Sequence, residues 1–89
     1  MRADLFLHKD YQKALAEYRC VRFLVREIDA AVLTGNLAKA NLYSRSLEYS
    51  IRELEKLQQR KREEHHRMKA LVEKYRAEGK NAELVVRKI

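Results

Sequence analysis

Glu63-Glu64-His65-His66 is the stretch whose residue types and spacing come nearest to a metal motif. Glu63 and His66 stand at i and i+3, where a carboxylate and an imidazole on one helix face can bind the same ion inside a bundle. A di-iron centre needs two such pairs plus two further glutamates, and a dimer of this chain supplies only the pairs. Lys61, Arg62 and Arg67 beside them repel a cation. The stretch therefore reads as solvated helix surface, and no metal or other cofactor is expected.

Gln58-Gln59-Arg60-Lys61-Arg62, with Lys56 and Arg67, is the densest basic stretch. Along one helix Lys56, Arg60, Lys61, Arg62 and Arg67 suit phosphate contacts, whose affinity falls steeply with salt, or contacts with an acidic protein. Glu55, Glu63 and Glu64 interrupt the run and form i to i+4 pairs such as Glu63 with Arg67, which is ordinary surface-helix chemistry. Sequence-specific DNA reading usually places a separate recognition helix after a short turn, a form neither long helix has.

Catalysis finds little support. Cys20 lies between Arg19 and Arg22, and no histidine stands within a helical turn of it to act as a base. There is no glycine-rich loop to cradle a phosphate, and the carboxylates are dispersed along helix faces. At 89 residues the chain forms one small domain with no room for a deep cleft within one copy. A non-enzymatic protein with no small-molecule substrate is expected.

The elements that position these residues are helical. Proline is absent, only two glycines punctuate the chain, and 37% of residues are charged. The apolar repeat runs through Leu7, Tyr11, Ala14, Tyr18, Val21, Val25, Ile28 and Val32, with Leu15, Leu24, Ala31 and Leu33 flanking it. This predicts helix 1 at about 4–33, capped by Asp4, and a stripe wide enough for burial against more than one helix. Thr34-Gly35-Asn36 predicts a tight turn, with Gly35 closing one helix and Asn36 capping the next. Helix 2, at about 37–78, carries Leu37, Ala40, Ser44, Leu47, Ile51 and Leu54, then Gln58, Lys61 and His65, then Met68, Val72 and Tyr75. Residues 79–89 form a short C-terminal segment, in which Asn81 suits a helix cap and Leu84-Val85-Val86 a strand.

The expected fold is therefore all-α: an antiparallel, coiled-coil-like helical hairpin with a long second helix, completed by self-association or a partner. Folding at residue 35 sets residues whose numbers sum to about 70 opposite one another. Apolar pairs then meet near the turn, while Tyr11 faces Gln58, and Leu5, Phe6 and Leu7 face Arg62, Glu64, His65 and Arg67. That open end is apolar on one side only, which nominates Leu5, Phe6, Leu7, Tyr11, Met68, Leu71, Val72 and Tyr75 as a partner-binding surface. Tyr11, Tyr18 and Tyr75 are expected in the core with hydroxyls at the rim, and Tyr43 and Tyr49 outside the stripe beside Arg45 and Arg52.

Net charge is +7, and residues 37–78 hold eleven basic and seven acidic groups. The excess suits an acidic protein surface or a phosphate backbone. A single cysteine excludes an internal disulfide, and the short apolar run of Leu5-Phe6-Leu7 is no signal-peptide core. With no apolar stretch near ~20 residues, a cytoplasmic protein that does not span a membrane is expected. The leading function is an interaction module (an adaptor, assembly factor, small chaperone or inhibitor) that binds another protein or a second copy through an apolar helical surface with a basic rim. The alternative is a small basic RNA- or DNA-binding protein.

Overall fold

A computed structural model describes residues 1–77, so the reading of residues 79–89 and the end of helix 2 at 78 lie outside the described residues. Two helices pack antiparallel: α1, Tyr11–Leu33, and α2, Leu37–Ala77. The 41 residues of α2 span about 62 Å at ~1.5 Å per residue, against about 35 Å for the 23 residues of α1. The molecule is a rod of 66 × 16 × 14 Å, and α2 overhangs at the open end as its greater length requires.

The turn forms as its residues dictate. Gly35 has φ +78°, its N–H donates to the Val32 carbonyl at 3.1 Å, and the Asn36 N–H donates to the Ala31 carbonyl at 2.8 Å. These two bonds define a Schellman closure, which needs a left-handed residue at Gly35. The Thr34 hydroxyl donates to the Ala30 carbonyl at 3.0 Å, beside the Thr34 N–H that reaches the same oxygen at 3.1 Å. Across the turn, Asn36 Oδ1 accepts from the Lys39 N–H at 3.2 Å and so caps α2. The register follows: Cys20 Sγ lies 3.5 Å from Ser50 Oγ and Arg60 Nε 3.4 Å from Asp10 Oδ2, both pairs summing to 70.

The start of α1 differs from expectation. Residues 3–10 form two 3-10 turns, Ala3–Leu5 and His8–Asp10, separated by extended backbone at Phe6 and Leu7. Asp4 pairs with Arg2 and caps nothing. The reason lies in the helical phase. On an unbroken helix Phe6 falls into one column with Lys13, Cys20 and Glu27, beside the seam. Breaking the helix swings Phe6 inward, where it is buried with Ala14 and Leu57 and flanked by Leu5 and Leu54. Burying one phenylalanine outweighs a lost helical turn, since full burial of such a side chain contributes about 1.5–3 kcal/mol.

The seam itself is also corrected. Its first column on each helix is as expected: Ala14, Val21 and Ile28 on α1, and Ala40, Leu47 and Leu54 on α2. The second column is displaced by one residue on both helices, to Leu24 and Ala31 on α1 and to Tyr43, Ser50 and Leu57 on α2. Val25 and Val32 are left 51% and 55% exposed, and Ile51 is exposed as well. Tyr43 thereby joins the seam, where it is half-buried, with the Lys39 ammonium 5.4 Å from its ring centroid. Among the described residues four of the eight buried ones are small (Ala14, Ala31, Ala40 and Ser50), so the helices meet through short side chains. No large side chain is fully enclosed among the described residues.

Candidate interaction surface

The open end is more closed than the sequence suggests. With the corrected phase, Leu57 takes the place assigned to Gln58 and is 2% exposed under Phe6. Phe6 is thus a core residue and is not presented to a partner. Leu5, Leu7 and Tyr11 are half-buried along the same N-terminal segment. The polar break in the seam contracts to Lys61 and Glu64. Beyond it Met68, Leu71, Val72 and Tyr75 are half-buried on α2.

A buried carboxylate pins this segment. Asp10 is the residue before α1, yet it makes no side-chain capping bond; its carboxylate turns inward and is nearly enclosed. Oδ2 makes no hydrogen bond, and Arg60 Nε at 3.4 Å supplies only charge. Asp4 sits at the opposite extreme, fully exposed. The hydrogen bond from Arg2 holds its carboxyl below the usual carboxylate range, with the charge of Lys61 adding a smaller push in the same direction.

The basic stretch does not form one face. Successive helical residues diverge by 100°, so Arg60 points to Asp10, Lys61 into the seam and Arg62 to the far side, where its Nη1 donates to Gln59 Oε1 at 3.5 Å. Lys56 pairs with Glu53 at 3.1 Å and Arg67 with Glu64 at 3.2 Å. Glu63 accepts from Gln59 Nε2 at 3.3 Å and borders a shallow depression with Arg62, His66 and Arg67. Among the described residues no three His, Cys, Asp or Glu side chains converge as a metal site would require. No helix among them is long and apolar enough to cross a membrane.

Exposed apolar surface collects instead around the turn half. Between Phe23 and Ile51, eight large apolar side chains face solvent: Phe23, Val25, Val32, Leu33, Leu37, Leu42, Tyr49 and Ile51. Seven of them divide over the two broad sides of the hairpin, and Leu33, the last residue of α1, lies at the turn. One side carries Tyr18, Val25 and Val32 of α1 beside Leu37, Ser44 and Ile51 of α2. The other carries Phe23 of α1 and, on α2, Leu42 and Tyr49, which with Glu17, Cys20, Arg45, Ser46 and Ser50 line a depression; the Lys39–Glu27 ion pair at 3.5 Å crosses this side. The Cys20 thiol on this side is exposed.

Sequence reasoning placed Tyr49 on the surface and Leu24 and Ala31 beside the stripe; it missed Phe23 and Leu42, which lie outside both columns. Their signal was an apolar residue on the predicted solvent face, and for Phe23 also its place between two arginines, Arg22 and Arg26. No family model matches the chain, and no curated protein and no solved structure resembles it.

Proposed function

We propose that the chain is a protein-binding module without chemistry of its own, acting through the turn half of the hairpin as an adaptor, assembly factor, small chaperone or inhibitor does. The observation that supports this is the exposure of eight large apolar side chains between Phe23 and Ile51. Scattered exposed leucines are ordinary, but contiguous apolar stripes rimmed by charge are the mark of surfaces that dock. Arg19, Arg22, Arg26, Arg45 and Arg52 rim these stripes, and their charge selects the partner and speeds encounter. A reducing, cytoplasmic setting suits the exposed thiol of Cys20.

The test is solution mass of the purified chain alone and after affinity capture from its native host, at ~50 and ~200 mM salt. A protein or a second copy held at fixed stoichiometry at both salt levels is the expected result, and Phe23→Asp or Val25→Asp should release it. Retention of nucleic acid alone, lost by orders of magnitude across that salt range, would replace this reading with the nucleic-acid one.

A further inference from the structure

We propose that a second copy of this chain covers the side formed by Tyr18, Val25, Val32, Leu37 and Ile51, giving a two-fold four-helix bundle with both turns at the same end. This deepens the protein-binding reading above, on which it rests, by naming the partner.

Geometry selects this side. The column Tyr11, Tyr18, Val25, Val32 is an unbroken apolar third column on α1, next to the two that form the seam. Helices of a bundle use such a third column, whereas a two-stranded pair needs only two. Among the described residues no ion pair or side-chain hydrogen bond crosses between the helices on this side; the contacts of Glu27 with Lys39, Cys20 with Ser50 and Asp10 with Arg60 all lie on the other.

Size permits a stable contact. From Tyr11 to Val32 the column runs about 32 Å, and two helices side by side are ~20 Å wide, so the side offers about 640 Å². That approaches the ~800 Å² each partner gives in an interface of ordinary size.

Charge fixes the arrangement. Residues summing to 70 lie level along the hairpin, so Arg22 and Glu48 stand at one height. Arg22 lies between Tyr18 and Val25 on the α1 rim, and Glu48 between Ser44 and Ile51 on the α2 rim. A two-fold axis parallel to the rod sets α1 against α2 of the other copy without changing heights. Arg22 of each copy then meets Glu48 of the other. Arg22 has no ion pair within its own chain among the described residues; its guanidinium lies 5.9 Å from the Tyr18 ring centroid. Glu48 holds Arg52 at 2.6 Å in an exposed i to i+4 pair, which contributes little and is readily exchanged.

Sedimentation equilibrium from ~1 to ~100 µM tests this, a range that detects micromolar self-association. The wild-type chain should approach twice its 10.6 kDa mass. Val25→Asp and Ile51→Asp should each give a one-chain mass with far-UV helicity kept, since both side chains are already about half exposed in the single hairpin. Arg22→Glu and Glu48→Arg should each weaken association roughly tenfold or more, and the double variant should restore it. A one-chain mass for the wild type throughout, or a dimer indifferent to Val25→Asp and Ile51→Asp, would overturn the proposal. Failure of the double variant to restore association would overturn the same-end arrangement. If the wild type has a one-chain mass but retains a foreign protein at ~200 mM salt, only the second copy is lost. Retention of nucleic acid alone would remove the protein-binding reading as well.

Discussion

Gly35, Asp10 and Asp4 show three different relations between a residue and stability. At Gly35 a Cβ would meet nothing within 4 Å, so the only cost of a side chain is the left-handed backbone at φ +78°. Gly35→Ala should therefore lower unfolding free energy by about 1 kcal/mol, and Gly35→Asn by less, as read from urea melts. Asp10 is enclosed and has Arg60 as its only charge partner among the described residues. Arg60→Ala should cost about 1–3 kcal/mol by leaving that carboxylate alone, and Asp10→Asn in the same background should recover part of the loss. Asp4 has a lowered pKa from its hydrogen bond with Arg2. A depressed carboxylate contributes stability above its unfolded value and loses it as pH falls. This pair is fully exposed and two residues apart, so it forms equally well in an unfolded chain. Asp4→Asn should leave the thermal midpoint unchanged at pH 7 and at pH 3.

At the scale of elements, the N-terminal segment and the two helices carry separable parts of the fold. Phe6 is the segment's buried apolar anchor. Phe6→Ala should release residues 3–10 and cost up to about 3 kcal/mol, while α1 and α2 keep their helical signal by circular dichroism. Hydrogen exchange should then quicken at Leu5, Phe6, Asp10 and Tyr11, whose amide hydrogen bonds close the two 3-10 turns, and not in the body of α1 or α2. Ile28 belongs to the seam near the turn, and Ile28→Asp should unfold the whole hairpin by placing an unpaired charge there. The seam is also tight where it is small. Ala14 has no exposure at all, so Ala14→Leu should destabilise by about 1–3 kcal/mol, whereas the same change at exposed Ala16 should be neutral within about 0.5 kcal/mol.

At the scale of the molecule, a rod of 66 × 16 × 14 Å has too little interior for its apolar content. In the turn half the two helices share one line of contact, and Val25, Val32, Leu37 and Ile51 beyond that line face solvent. If a second copy covers Val25, Val32, Leu37 and Ile51 as proposed, thermal stability should rise with chain concentration. Melting at ~1 and ~100 µM should give midpoints several degrees apart for the wild type and coincident midpoints for Val25→Asp.

The sequence by itself determined the all-α class, the turn, the hairpin register and the overhang of α2. Each follows from local chemistry or simple length: a left-handed glycine, a capping asparagine, the lack of any breaker, and helices of unequal span. What only the tertiary structure decided was rotation about the helix axes. A 3-4 repeat specifies two columns, but either neighbour of the first column completes it, and one residue of displacement turns the seam by about 50°. On α1, Tyr18 and Val32 are more apolar than Glu17 and Ala31, so the composition of that helix favours the wrong column. The choice depends on how small Ala14, Ala31, Ala40 and Ser50 are when they meet across the pair, and on Phe6 folding back over Leu57. Those are relations between residues far apart in the chain, and they leave the large exposed apolar side chains of Val25, Val32, Leu37 and Ile51 in the half of the hairpin nearest the turn.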